Sequence, residues 1–174
     1  MEQTGKQHNI KGVQFQSRKK TGNKWFETQD QIGYWDDLVK PKIVWGEISD
    51  KTKFAIDDSG EYAPEATTFL MTGSDLKYLL GFLNSNVSKY YFAIDGTTTG
   101  VGTVRWKKYK IERLPIPVSK SALQQEFIQT VDEILSSYIH NADCLVAEDK
   151  IDAIISRILN LTSEESNFIR TKID

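Results

Sequence analysis

The residues best equipped for chemistry lie in Arg105-Trp106-Lys107-Lys108-Tyr109-Lys110, where cations are interleaved with aromatic rings. Residues 105–113 hold five cations (Arg105, Lys107, Lys108, Lys110, Arg113) against one acid, Glu112. Lysine and arginine neutralise phosphates, and arginine can also donate two parallel hydrogen bonds to the edge of guanine. Buried aromatic packing with lysines for solubility is the plainer account of the same segment. A second cationic stretch, Lys6 to Trp25, carries six Lys/Arg and no acid, among them Arg18, Lys19, Lys20 and Lys24. A flexible, solvated arm is the alternative there. The segment Gly96-Thr97-Thr98-Thr99-Gly100-Val101-Gly102 offers backbone N–H groups that an anion could meet, with Thr98 and Thr99 beside them. It lacks the lysine-plus-hydroxyl ending of a nucleotide phosphate loop and precedes a strand rather than a helix. A loop that orders against a DNA backbone and a plain flexible connection both fit its composition.

Catalytic constellations are missing. His140 stands four residues before Cys144, an incidental spacing with no third partner. Two histidines (His8, His140) and one cysteine do not make a zinc ligand set, so no metal residues are assigned. The acidic pairs Asp36-Asp37 and Asp57-Asp58 lack the apolar setting that would raise a carboxyl pKa for acid-base work, and read as solvated acids. No catalytic residue is assigned.

Several elements must position these groups. Lys42–Ile48, Lys53–Asp57 and Thr67–Met71 are β-branched or aromatic runs separated by turn chemistry such as Asp57-Asp58-Ser59-Gly60. Their spacing predicts a mostly antiparallel sheet. Val13–Gln16 alternates like a short strand. Leu76, Leu79, Leu80, Leu83, Val87 and Tyr91 form one helical stripe, with Ser74 as its expected N-cap. Thr103–Ile111 is expected to be a strand. On a strand Arg105, Lys107 and Tyr109 would face one side, and Trp106, Lys108 and Lys110 the other. Leu114-Pro115-Ile116-Pro117 must be extended. Beyond Ser119, Leu123, Phe127, Val131, Ile134 and Tyr138 mark one helix, and Ile151, Ile154, Ile155, Ile158 and Leu161 a second. Asn141-Ala142-Asp143 interrupts them, which predicts an antiparallel pair. Thr162-Ser163-Glu164-Glu165 reads as the cap of a short third helix.

The bulk numbers fit a folded chain with an uneven charge. The 174 residues, 39% hydrophobic and 11% aromatic, suffice for a real core. Residues 1–125 hold 18 Lys/Arg against 14 Asp/Glu, net +4, while residues 126–174 hold 4 against 10, net −6. The overall charge of −2 therefore averages a weakly basic body and an acidic tail. Since screening confines fields to about 8–10 Å, that average excludes no polyanion partner. No apolar run approaches the ~20 residues of a membrane span. The polar start lacks a hydrophobic signal region, and the single cysteine fits a reducing cytoplasm.

The order of motifs resembles a known family. Tyr34-Trp35, then Lys40-Pro41-Lys42-Ile43-Val44-Trp45-Gly46-Glu47-Ile48-Ser49, is similar to the central motif of the TaqI-like specificity domain. That domain ends many type IIG restriction-modification enzymes and adenine-specific methyltransferases. Phe54–Asp57, Thr68–Leu70, Thr72-Gly73, Leu76–Ser85, Tyr90–Phe92, Arg105–Tyr109, Ile111–Pro117, Ile151-Asp152 and Ile158–Glu165 follow in the family's order. The resemblance covers about Trp25 to Ile169.

It implies sequence-specific recognition of double-stranded DNA in a restriction-modification or related phage-defence system, for a methyltransferase or nuclease domain of the same or a partner chain. An Asn-Pro-Pro-Tyr motif and a glycine-rich cofactor loop are absent. The segment is therefore expected to be a C-terminal piece without an active site. S-adenosylmethionine and Mg are then expected only in the parent's other domains. The expected fold is α+β, a mostly antiparallel sheet with a packed amphipathic helix, then a C-terminal antiparallel helical hairpin. Residues 1–120 form the recognition part, with 1–24 a basic arm, and 121–174 a helical spacer or docking segment. Its acidic face, from Asp143, Glu148, Asp149 and Asp152, should point away from DNA, so deleting it should harm assembly more than DNA contact. The expected DNA-contacting residues are Arg18, Lys19, Lys20, Lys24, Thr98, Thr99, Arg105, Lys107 and Lys108. The alternative is a protein-protein scaffold that docks a methyltransferase without touching DNA.

Overall fold

A computed structural model describes residues 6–8, 14–16, 24, 32–49, 53–64, 67–95, 104–118, 122–140, 143 and 145–173. The chain divides into two units, Met1–Asp36 and Asp37–Asp174. In the first, β1 (Lys6–His8) pairs antiparallel with β2 (Gln14–Gln16), Gln7 opposite Phe15. The alternation at Val13–Gln16 thus does mark a strand. The short helix α1 (Trp35–Leu38) carries the chain into the second unit.

The second unit is built on β3 (Lys42–Gly46), flanked by β5 (Ala55–Asp57) and β6 (Thr68–Thr72), both antiparallel to it. Register sets Val44 opposite both Ala55 and Leu70, and Trp45 opposite Phe69. Ile43 and Trp45 are buried on one face of β3, as the period of two in a strand requires. The chain then continues through β4 (Ile48–Ser49), which later pairs with β7 (Val104–Arg105). With the helices below, the fold is α+β, as the sequence implies.

Lys42 and Asp57 correct one expectation. Asp57 is not a solvated acid but a buried one, paired with the fully buried ammonium of Lys42. Lys42 Nζ also donates to Leu38 O at 2.8 Å and Lys40 O at 3.3 Å, so all three of its protons are used. Asp57 accepts from Ser59 Oγ (2.9 Å), Gly60 N (2.9 Å) and Tyr62 N (3.0 Å). The Lys42 hydrogen bond, then these backbone and hydroxyl donors, hold its carboxyl well below the usual range. Gly60 is required in that turn: φ is +73°, and a Cβ would lie 2.4 Å from Val39 O.

The stripe from Leu76 to Tyr91 forms two helices, not one: α2 (Leu76–Asn84) and α3 (Asn86–Asp95). Ser85 breaks it by turning extended (φ −70°, ψ 163°). Its hydroxyl donates to Phe82 O at 2.6 Å and accepts from Ser88 N at 3.3 Å, which ends α2 and caps α3 together. Ser74 is likewise not the cap of α2; Asp75 is, in the left-handed region (φ 58°) and without a side-chain cap bond.

A one-turn helix, α4 (Lys108–Ile111), precedes α5 (Ala122–Ile139), α6 (Leu145–Ile158) and α7 (Ser163–Ile173). Ion pairs Glu126–Arg157 (3.4 Å) and Glu133–Lys150 (3.6 Å) join the start of α5 to the end of α6 and the middles to each other, so the pair is antiparallel as expected. Thr162 and Glu165 form the expected capping box: Glu165 N donates to Thr162 Oγ1 (3.2 Å), and Thr162 N donates to Glu165 Oε2 (2.8 Å). Of these helices, α4, α5 and α6 share the core with the sheet, whereas α7 buries no residue. Phe127 and Val131 of α5 meet Gly81 of α2, where a Cβ would sit 2.6 Å from Val131 Cγ2. Tyr78 lies 5.1 Å from Phe127, edge to face.

Candidate nucleic-acid interface

The segment after β7 is anchored by Trp106, which is buried, with its ring 4.8 Å from Phe92 and 6.2 Å from Phe54. Its backbone N donates to Glu47 O (2.8 Å), and its carbonyl accepts from Trp45 Nε1 (2.9 Å). A two-residue ladder, Ile48 opposite Arg105 and Ser49 opposite Val104, fixes the direction in which Arg105 leaves the core. Aromatic mass thus clamps the root of the cationic segment.

Beyond Trp106 the strand does not continue. Lys107 is extended (φ −70°, ψ 140°) and is the N-cap residue of α4, with Lys110 N and Ile111 N bonded to its carbonyl. The expected two-sided alternation is therefore wrong. Trp106, Lys110, Ile111 and Leu114 point into the core, Arg105, Lys108, Tyr109 and Arg113 are exposed, and Lys107 is half-buried. The ladder ends after two residues, and the helical turn that follows buries Lys110 and Ile111.

The exposed side carries Arg105, Lys107, Lys108 and Arg113 against Glu47 and Glu112. Arg105 Nη1 is 3.8 Å from Glu47 Oε1, and Lys108 Nζ is 3.6 Å from Glu112 Oε1, with all four side chains substantially exposed. Such pairs are worth about 0–1 kcal/mol and exchange readily for a phosphate. The guanidinium of Arg113 lies over the ring of Tyr109, 5.9 Å from its centroid.

Of the other expected contact residues, Lys24 is exposed in the first unit. Arg18, Lys19, Lys20, Thr98 and Thr99 lie outside the described residues. The structure thus brings Arg105, Lys107 and Lys108 onto one short segment and sets Arg113, one of the five cations counted there, over the ring of Tyr109. The signal for that pair is the four-residue spacing, informative only once the segment is a helix.

The remaining candidates for chemistry have structural tasks. Asp152 does not lie on an outer acidic face: it is half-buried, and Asn86 N at the start of α3 donates to its Oδ1 at 2.9 Å. Burial pushes its carboxyl up, against that bond and the nearby Lys89 and Arg170 charges. It borders a cleft of about 560 Å³ between β5, α2, α5 and α6, floored by Phe54, Ile56, Leu80 and Val131. Asp149, on the same rim, accepts from Arg170 (3.1 Å). His140 Nδ1 is 2.7 Å from Ser136 O, and Cys144 lies outside the described residues. Among the described residues no three His, Cys, Asp or Glu side chains gather as a metal site would require. No described helix is long and apolar enough to cross a membrane.

A profile described as the TaqI-like C-terminal specificity domain matches residues 4–116. The chain belongs to that family. The specificity domain is also similar to the type II methyltransferase M.BstVI of Geobacillus stearothermophilus, 21% identical over 157 residues. Those residues are 90% of this chain and 26% of the relative, so the chain spans about a quarter of that protein's length. The matched span of the specificity domain contains β3, the Lys42–Asp57 pair and the whole cationic segment, and stops before α5.

Proposed function

We propose that this chain recognises a target site in double-stranded DNA on behalf of a restriction-modification methyltransferase, without an active site of its own. Membership of the specificity-domain family carries the reading. The surface of Arg105, Lys107 and Lys108 supports it: weakly paired cations project from a segment that Trp106 and Ile111 root in the core. Lys107 and Lys108 would meet phosphates and set the register; Arg18, Lys19, Lys20, Lys24, Thr98 and Thr99 are further candidate DNA contacts. Methyl transfer from S-adenosylmethionine, and any Mg-dependent cleavage, would belong to a partner domain of type IIG or similar organisation.

The test is binding of the full chain to duplex DNA across a salt series. Charge reversals Arg105→Glu, Lys107→Glu and Lys108→Glu should weaken binding and flatten the dependence of log K on log salt by about 0.9 for each phosphate no longer neutralised. Unchanged affinity and slope in all three would refute a DNA contact here. A second reading, a scaffold that docks a methyltransferase without DNA, is favoured by the tip of the α5–α6 hairpin. Tyr138, Ile139, Leu145 and Val146 are all exposed there, in the net-negative part of the chain. The first reading assigns that tip to the partner domain and keeps DNA on the α4 side.

A further inference from the structure

The cations near α4 are not equivalent. Arg105 and Lys108 each stand near a carboxylate, Glu47 and Glu112, but Arg113 has an aromatic face in place of an acid. Among the described residues no side chain or carbonyl accepts a hydrogen bond from its guanidinium. Its mount is stiff. Glu112 N bonds to Lys108 O (3.0 Å), Arg113 N to Lys110 O (3.2 Å) and Leu114 N to Ile111 O (3.1 Å). Ile111 and Leu114 on either side are buried, and just downstream Pro117 O accepts from Tyr78 Oη at 2.9 Å.

This arrangement suits one ligand chemistry. A planar guanidinium resting on a ring keeps its N–H edges free and loses little entropy when both are used at once. Guanine presents two acceptors, O6 and N7, side by side in the major groove, and the matching donor is a bidentate arginine fork. The major groove, about 12 Å wide, admits an α-helix, and α4 is a single turn long. Accepting the DNA-recognition role proposed above, we propose that Arg113 reads a guanine in the target site, and that Tyr109 is the positioning residue holding its fork. Lys107 and Lys108 then supply phosphate contacts without sequence preference.

The experiment uses the full chain and a pool of DNA duplexes with a randomised centre, selected by wild type, Arg113→Ala, Arg113→Lys, Tyr109→Ala and Tyr109→Phe. Wild type should enrich guanine at one position. Arg113→Ala and Arg113→Lys should lose roughly 5- to 150-fold of preference there while other positions keep theirs. Tyr109→Ala should lose part of it, and Tyr109→Phe, which keeps the ring, none. Placing 7-deazaguanine at that position should weaken wild type and leave Arg113→Ala unaffected, since only N7 is removed. Arg113 and Tyr109 are exposed, so the variants keep their core. If Arg113→Ala weakens all sequences equally and flattens the salt dependence by about one phosphate's worth, Arg113 is a phosphate clamp and the proposal fails. A variant pool identical to wild type also overturns it. If wild type itself enriches no sequence, the recognition role fails, and this assignment falls with it.

Discussion

Replacing Gly81 by alanine tests how closely α5 bears on α2, the contact that joins the helical hairpin to the sheet. A Cβ at position 81 would stand 2.6 Å from Val131 Cγ2, 2.7 Å from Phe127 Cε1 and 2.9 Å from Phe127 Cζ. Carbon atoms settle at about 3.5–4.0 Å, so something must move by about 1 Å. Phe127 is 0% exposed with Tyr78 edge-on to its ring, which blocks its swing, while Val131, 2% exposed, borders the cleft between α2, α5 and α6. Over-packing of this kind costs about 1–3 kcal/mol, while alanine returns about 1 kcal/mol through helix propensity. With Phe127 confined, the strain lies at the upper end of that range, and the net loss is about 2 kcal/mol. For a chain of this size that lowers Tm by about 4–8 °C. Thermal melts followed by circular dichroism give the number. The double variant Gly81→Ala/Val131→Ala, which makes room for the new methyl, should lose less than the two single losses added. A Gly81→Ala protein melting at or above the wild-type temperature would refute the close approach of α2 and α5.

Two further outcomes follow from buried acids. The Asp57 carboxyl titrates below its unfolded value, so its contribution is complete above about pH 4 and is lost on acidification through its folded pKa. Asp57→Asn should therefore show a shallower loss of stability below pH 4 than wild type. Lys42→Met should destabilise at pH 7, with Lys42→Met/Asp57→Asn recovering part; equal stabilities in urea melts would contradict the pairing. Asp152 shifts the opposite way, so its penalty grows as pH rises from its unfolded value to its folded one. Asp152→Asn, which keeps an acceptor for Asn86 N, should be more stable than wild type at pH 7 and approach it near pH 4; a loss at pH 7 would contradict burial as the dominant cause.

Much of the scaffold was legible because its signals are local. The β3, β5 and β6 runs alternate or are β-branched, and the Thr162–Glu165 box sits within four residues. What escaped was set at long range. Lys42 and Asp57 are fifteen residues apart, and nothing near either predicts that β3 pairs with β5 in the register that buries both. The break at Ser85 leaves the apolar stripe intact on both sides, so periodicity carried through it. The cationic segment misled for a related reason. Arg105 to Ile111 satisfies a period of two and one helical turn equally, and the two-residue β4–β7 ladder decided between them. The choice changed the site, because only a helical turn places Arg113 over Tyr109.

The C-terminal helices also bear on how any truncation should be interpreted. Phe127, Val131, Ile151, Ile154 and Ile155 are all at most 4% exposed, and they belong to the same core as Tyr78, Leu80 and Leu83. Burial of such side chains contributes about 1.5–3 kcal/mol each, so five of them are comparable with the 5–15 kcal/mol of a typical domain's whole stability. A chain ending before α5 would thus lose its fold together with its hairpin, and a failure of that shortened chain to bind DNA would say nothing about where DNA sits. Point changes at the exposed tip, Ile139 and Val146, leave that core untouched. They can separate docking of a partner domain from the α4 surface, because a tip variant that binds DNA normally but no longer holds its partner is impaired in docking alone.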